Sequence, residues 1–378
     1  MKSVVILDTY YRSFLTSDLF VASVQSVNNY QDSIKRVESL SFGTGASYVN
    51  TFRSFGWKAD LIIPNSYLLQ NRWSEQNLGE SLLSPGWEAM QIVSRVPVLR
   101  DIARWIPYYF SVIENQLKHL SPDLILVQDV NAFPPEMIKR FTVFAKKIYC
   151  EIASPAPRRT FFQHYDRLIS ALPSFIVKFE SINLPSNYLP LAFDERNAKF
   201  NQLRDRDIDV VFVGSIGRHQ PQTAALLREI GAQISGLCIY TNLSTREIKE
   251  LGLSPFFKGH AWGTDMFEIL GRSKIVINRH GKIAENYAVN LRMFEATGCG
   301  ALLVTEKSVN LGQLFDDGSE VVSYRSSAEA IEKIRYFLSK PEELEKIAKR
   351  GQQRTLHDHN YVKRVAFLAQ LFEDDISC

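Results

Sequence analysis

Short, nearly unbroken apolar runs alternate along this chain with stretches whose apolar residues recur at helical spacing. In the first half the runs are Val4 to Leu7, Ala59 to Ile63, Leu124 to Val127, Ile148 to Ile152 and Phe175 to Val177. Each ends in polar or turn-forming residues. Continuous runs of this length predict parallel strands covered on both faces. Between them, Gly45 to Phe55 and Arg104 to Leu120 carry the three- and four-residue spacing of helices. A second series opens at Asp207. Strands are predicted at Asp209 to Val213, Gly236 to Tyr240, Ile275 to Asn278, Ala301 to Thr305 and Glu320 to Ser323, with a helix from Thr223. Ser326-x-x-Glu329 and Ser339-x-x-Glu342 predict capping boxes at two closing helices, the second with Pro341 in its first turn.

Two such series predict the α/β class, with two Rossmann-like, doubly wound parallel-sheet domains facing a cleft. Pro185 to Asp205, with two prolines and a charged end, separates them. Domains are expected at 1–205 and 206–360, and 361–378 is expected as a helical segment packing back on the first domain.

Composition narrows the function classes. The 378 residues exceed what one ordinary core holds and suit two domains. Net charge is only +3, too small a surplus to argue for nucleic acid. It is compatible with anionic substrates or with peripheral contact at an anionic membrane. The four cysteines form no CxxC pair, so no metal site is expected, and reduced thiols in a cytoplasmic protein are the plain reading. No apolar stretch approaches about 18 residues, and the first run is too short for a signal peptide. The expected location is the cytoplasm, with peripheral contact at the inner face of the membrane.

Candidate chemistry is densest from Asn278 onward. A strand ends in Asn278-Arg279-His280-Gly281; a helix opens at Asn290-Leu291, carries Arg292 and Glu295, and stops at Gly298. Arg292 and Glu295, three apart, share a helix face. The helix N-terminus offers unpaired N–H groups to an anion. The two oxygens of Glu295 suit the vicinal hydroxyls of a ribose; an ordinary surface ion pair is the alternative. Gly214-Ser215-Ile216-Gly217-Arg218 also ends a strand, where glycine permits close approach of phosphate and Arg218 adds charge. A plain turn is the alternative there, as a solvated basic turn is for Arg279 and His280. Lys258 to Trp262 reads as a wall for a base or as packing.

These residues carry a resemblance. Asn290 to Ala296, Gly298 to Thr305, Leu314-Phe315, Gly318 to Tyr324 and His359-x-Tyr361 resemble the C-terminal domain of the CgeB-like glycosyltransferases, relatives of the family 1 and 4 enzymes with the GT-B fold. Val213-Gly214-Ser215 and Leu253 to His280 follow the same pattern. The resemblance covers roughly 208–367 and extends loosely into Phe42 to Tyr48, Pro122 to Asp129 and Leu189 to Asp194. It implies a metal-independent transfer of sugar from a UDP-, GDP- or other nucleotide-sugar donor, with no separate cofactor. The acceptor it implies is a glycan, a lipid-linked or another hydroxyl compound, in cell-surface polysaccharide or glycoconjugate synthesis. It makes Glu295 the ligand of the donor ribose. Many relatives carry a second glutamate eight positions earlier; here that position is Tyr287, with Glu285 out of register. The donor sugar and the stereochemical course therefore do not carry over.

The first half supplies the acceptor side. Gly43-Thr44-Gly45 opens a helix but lies some 35 residues beyond the first strand, which excludes a dinucleotide fingerprint. The turn is expected at the cleft, near the donor phosphates or the acceptor. Asp129, after the Leu124 to Val127 strand, is the expected general base; Glu151 and Asp8, also at strand ends, are the alternatives. Loop capping is the plainer role for each. Trp87, Arg95, Arg100, Arg104, Trp105, Tyr108, Tyr109 and Phe110 form an aromatic and basic stretch that reads as core or as an acceptor or membrane surface. Two rivals stand beside transfer: a nucleotide-sugar epimerase or hydrolase, and a non-catalytic nucleotide- or glycan-binding subunit.

Overall fold

A computed structural model describes residues 1–82, 110–202, 206–216, 221–281 and 284–377. Of the aromatic and basic stretch only Phe110 is among them; Trp87, Arg95, Arg100, Arg104, Trp105, Tyr108 and Tyr109 lie outside the described residues, as do Gly217 and Arg218. The chain forms two compact units: unit 1, Met1–Leu189 with Val365–Cys378, and unit 2, Pro190–Arg364.

Unit 1 is built on six parallel strands: β1 (Ser3–Leu7), β2 (Lys58–Ile62), β3 (Leu124–Val127), β4 (Lys147–Glu151), β5 (Arg167–Ser170) and β6 (Ser186–Tyr188), in the order β2-β1-β3-β4-β5-β6. Its helices of six residues or more are α1 (Asp18–Gln25), α2 (Tyr30–Ser39), α3 (Gly45–Ser54), α4 (Tyr67–Leu78), α5 (Phe110–Leu120), α6 (Pro135–Phe141) and α7 (Pro173–Glu180). Side-chain caps set several starts: Ser17, Asn29 and Ser66 each accept from an N–H three residues on.

The strand expected at Phe175 to Val177 is instead helix α7. Pro173 occupies its first turn, Phe175 and Phe179 are buried, and Val177 is 72% exposed. A residue on a strand covered on both faces would be buried. The three- and four-residue spacing won over the apolar run.

Unit 2 repeats the architecture with β7 (Ile208–Val213), β8 (Leu237–Tyr240), β9 (Phe257–Gly259), β10 (Ser273–Asn278), β11 (Leu302–Glu306) and β12 (Val322–Tyr324). All run parallel in the order β12-β11-β10-β7-β8-β9. Its α-helices of six residues or more include α8 (Pro221–Gln233), α9 (Thr245–Glu250), α10 (Gly263–Arg272), α11 (Leu291–Gly298), α12 (Ser327–Ser339) and α13 (Pro341–Asp358). Alternate strand residues feed two cores, one on each face. Val210, Phe212, Ile275, Ile277, Leu302 and Val304 join one; Val211, Val213, Val276 and Leu303 join the other. This double burial is why the strands read as continuous apolar runs.

Ser326 caps α12 by accepting from the Glu329 N–H, but Glu329 turns to the Arg325 N–H rather than closing a box. The box expected at Ser339 is absent. Ser339 ends α12, its hydroxyl donates to the Tyr336 carbonyl, and Pro341 starts α13 behind Lys340. A full capping box forms at Ser244 and Glu247, ahead of α9.

The last helix, α14 (Tyr361–Ser377), begins in unit 2 and ends in unit 1. Within unit 1, Phe372 meets the Trp57 ring edge-on at 5.5 Å, and Asp375 accepts from Tyr149 Oη and, at 2.8 Å, from Arg167 Nε. Within unit 2, buried Arg364 donates from Nε to the Pro190 carbonyl at 2.6 Å and from Nη2 to the Leu191 carbonyl at 3.0 Å.

Candidate functional site

In an open parallel sheet, ligands gather at the carboxyl ends of the strands where the strand order reverses. In unit 2 that point lies between β7 and β10: β8 and β9 continue on one side, β11 and β12 on the other. Gly214 follows β7, and its N–H donates to the Tyr240 carbonyl at 3.1 Å; Ser215 beside it is exposed. Asn278 ends β10, followed by Arg279 and His280.

The helix beside them is fastened to that strand end. Asn290 caps α11, accepting from the Met293 N–H at 3.3 Å, while its amide donates to Asn278 Oδ1 at 2.9 Å and to the Arg279 carbonyl at 3.2 Å. Asn278 in turn donates to Thr305 Oγ1 at 2.9 Å. Among the described residues, the N–H groups of Leu291 and Arg292 meet no acceptor. They are the first-turn donors that an α-helix cannot satisfy internally.

Glu295 and Arg292 pair at 2.8 Å through Nη1, with side chains 13% and 16% exposed. This is not a solvated surface pair. Arg292 also donates from Nε to the Val213 carbonyl at 2.9 Å and from Nη1 to Met266 Sδ at 2.9 Å. Burial raises the pKa of Glu295, and the Arg292 charge opposes that rise.

Arg279 lies 3.4 Å from Glu306 and donates to Thr223 Oγ1 at 3.2 Å and to Gln222 Oε1 at 3.3 Å. His280 differs. It is buried, and desolvation with the adjacent Arg279 charge pulls its pKa down to about 4. Its Nδ1 accepts from the Val289 N–H at 3.3 Å, so its proton sits on Nε2, facing Thr305 Oγ1 at 3.4 Å. The positive charge expected of both residues is carried by Arg279.

Tyr287 lies in the loop before α11. That loop is held by the Ala288 N–H on Asn310 Oδ1 at 2.6 Å and the Val309 N–H on the Asn286 carbonyl at 2.9 Å. Glu285 is exposed there with φ of 53°. Trp262 stands at the N-cap of α10, after the β9 turn in which His260 Nδ1 meets the Thr241 carbonyl at 2.5 Å.

In unit 1 the strand order reverses between β1 and β3. Asp8 follows β1, Gln128 and Asp129 follow β3, and Glu151 ends β4. Asp8 accepts from the Gly45 N–H at 3.0 Å, so the acceptor at the start of α3 is the protein's own carboxyl group. A methyl group on Gly45 would lie 2.9 Å from Asp8 Cβ, and one on Gly43, at φ of 71°, would lie 2.8 Å from Asp8 Oδ2. The glycines are there because Asp8 comes this close.

Burial, with Glu151 and Asp129 nearby, raises the Asp8 pKa from 3.8 to about 7 against the Gly45 and Thr44 hydrogen bonds. Burial also raises Glu151, against bonds from Gln128 and Tyr48. Gln128 spans the cluster, donating to Thr44 Oγ1 at 2.6 Å and to Glu151 Oε2 at 3.2 Å. Asp129 accepts from Thr9 Oγ1 at 2.7 Å and from the Asn131 N–H at 3.0 Å, capping the turn that follows. Gln128, Thr9, Thr305 and Val213 carry no signal in sequence for the contacts they make here. Among the described residues no three His, Cys, Asp or Glu side chains are arranged to hold a metal ion, and no helix is long and apolar enough to cross a membrane.

Residues 224–370 match the family model described as glycosyl transferase-like. No curated protein matches the chain. Among solved structures, sucrose-phosphate synthase from Thermosynechococcus elongatus gives a TM-score of 0.58 at 11% identity, covering 100% of both chains. Anabaena HepE in complex with UDP-glucose gives 0.57 at 11%, again over 100% of both. UDP-GlcNAc 2-epimerase from Neisseria meningitidis, bound to UDP-GlcNAc, gives 0.53 at 11%, over 99% of this chain and 100% of that one. Identities this low speak for the fold, and the family match does not single out the CgeB-like group. Two six-stranded Rossmann-like sheets and the likeness to these structures give this chain the GT-B fold, and most of unit 2 is similar to the glycosyl transferase-like family.

Proposed function

We propose that the protein transfers a sugar from a nucleotide-sugar donor to a hydroxyl acceptor, without a metal. The observation that carries this reading is the Arg292–Glu295 pair, buried beside unpaired helix N–H groups at the strand-order reversal of unit 2. Glu295 holds the ribose through its two oxygens. The α11 N-terminus and Arg279 meet the diphosphate and stabilise it as it leaves. Gly214, Ser215, Asn278 and Asn290 line or brace the same strand ends. A UDP-sugar is the first donor to test, because HepE and the epimerase are described with UDP-linked sugars; GDP-sugars follow. The acceptor, a glycan or lipid-linked compound, belongs to unit 1, at work on the cytoplasmic face of a membrane. There the acceptor proton goes to the carboxyl cluster. Asp8, with a pKa near 7, is better poised as base than Asp129, whose two oxygens are engaged, one capping a turn and the other accepting from Thr9.

Calorimetry with UDP, GDP and CMP on the wild type and on Glu295→Gln tests the donor site. Affinity for the nucleotide that binds should fall about tenfold or more in the variant; unchanged affinity rejects the ribose role. Transfer itself is read by product formation over an acceptor panel.

The second reading is a nucleotide-sugar epimerase, the activity named for the Neisseria meningitidis structure that shares this fold. Donor incubated without acceptor separates the two: epimer or free sugar released at the full catalytic rate favours this rival.

A further inference from the structure

At the opposite ends of the unit 2 strands, where β7, β10 and β11 begin, a cavity of about 560 Å³ opens against the junction of α12 and α13. Its volume falls within the roughly 300–1,000 Å³ of small-molecule sites. Phe337, Leu344 and Ala348 give it an apolar wall. Arg206 and Lys349 face Glu345 as charged lining, with Lys274 alongside.

Among the described residues the charges do not balance. Lys274 is neutralised by Asp209 at 2.6 Å. Arg206 is not paired with any carboxylate among the described residues. Its Nη1 donates to the carbonyls of Gly271 and Ser273 at 2.9 and 2.7 Å, and its Nη2 to Asn201 Oδ1 and the Cys299 carbonyl at 2.9 and 3.1 Å. Every hydrogen-bond acceptor is neutral, so a half-buried guanidinium is held rigidly in place, and Glu345 is the carboxylate that favours its charge. Lys349 likewise has no ion-pair partner among the described residues. Arg206 and Lys349 against one Glu345 leave the described lining net positive beside an apolar wall, which favours an anion that carries a hydrophobic body.

We infer that this cavity binds a small amphipathic organic anion: a carboxylate, sulfonate or phosphate on an apolar frame. The anionic group lies toward Arg206 and Lys349, and the apolar body covers Phe337, Leu344 and Ala348. The site is separate from the donor site. It touches the C-terminal end of α11 through the Cys299 carbonyl, whereas Asn290 and the free N–H groups mark the other end of that helix. The inference therefore stands or falls independently of the nucleotide reading.

The probe is 8-anilinonaphthalene-1-sulfonate, an aromatic frame with one sulfonate, titrated by fluorescence against the full chain. One saturable site is expected. Lys349→Glu, at an exposed position, should weaken it about tenfold, and Ala348→Trp should abolish it by filling the cavity. UDP should not displace the probe. Absence of saturable binding, wild-type affinity in Lys349→Glu, or displacement by UDP overturns the inference. Lys349→Glu keeps the test decisive if Ala348→Trp fails to fold.

Discussion

Arg292 donates from Nε to the main-chain carbonyl of Val213 at 2.9 Å, and the same guanidinium pairs with Glu295 at 2.8 Å. One side chain thus ties the start of α11 to the end of β7 and aims the carboxylate. A lysine there keeps the charge but lacks the planar fork whose Nε and Nη1 reach the Val213 carbonyl and Glu295 together. Arg292→Lys should therefore lose nucleotide affinity nearly as far as Glu295→Gln, about tenfold or more by calorimetry. Wild-type affinity in the lysine variant would reduce Arg292 to a point charge.

Asp8 makes stability depend on pH. Its folded pKa, about 7, lies above its ordinary 3.8, so the folded state holds a proton that the unfolded chain releases. That stabilisation is complete below about pH 4 and is lost as pH rises through about 7. The span is worth up to about 4 kcal/mol. Asp8→Asn keeps an acceptor for the Gly45 N–H and should flatten this dependence. Melting temperatures from pH 4 to 8 would show it, as a variant that gains on the wild type toward pH 8. A difference constant across that range would contradict the raised pKa.

The two carboxylates of unit 1 can be separated by kinetics. Asp8→Asn should lower transfer about 10²–10⁴-fold at unchanged nucleotide affinity, the range for loss of a general base. Asp129→Asn should lower it less, because its oxygen still accepts from the Asn131 N–H and its amide can donate to Thr9 Oγ1. The reverse ranking would return the role of base to Asp129.

His280 titrates in the opposite sense to Asp8. Its pKa is depressed from 6.5 to about 4, so its contribution is present above about 6.5 and is lost as pH falls through 4. His280→Gln retains one acceptor and one donor and should show a shallower acid limb in melts between pH 6.5 and 4. An acid limb as steep as the wild type's would mean that His280 is already charged in the fold.

Arg364 closes the seam where the chain passes between units. Its bonds to the Pro190 and Leu191 carbonyls join the two passages side by side within unit 2. Arg364→Lys leaves at least one buried carbonyl unpaired. It should lower the melting temperature by roughly 3–5 °C, an amount matching one lost charged hydrogen bond in a domain of this size.

The α/β alternation was legible in sequence wherever both faces of a strand are buried, because Val4 to Leu7 or Ile275 to Asn278 then form unbroken apolar runs. β5 and β6 escaped for the opposite reason. Arg167 opens β5, where it bonds Asp375, and β6 reads Ser-Asn-Tyr, so neither shows an apolar run. Phe175 to Val177 misled because three adjacent apolar residues look alike on a strand or a helix; Pro173 and the Phe175–Phe179 spacing were the better guides. At the candidate site, residue types such as Glu295 and Arg279 are visible, but their partners are not. Val213 lies 79 positions from Arg292, and Gly45 lies 37 from Asp8. Such contacts come from tertiary packing, which no local pattern encodes. The neutral state of His280 is hidden in the same way, since burial sets it.

The last helix also fixes an order of events during synthesis. Unit 1 holds Val365–Cys378, and Phe372 against Trp57 and Asp375 on Tyr149 and Arg167 belong to its packing. Those residues leave the ribosome only after all of unit 2. The first unit to begin is thus the last to be completed, and throughout translation of Pro190–Arg364 the nascent chain has Trp57 without Phe372 and Arg167 without its carboxylate partner.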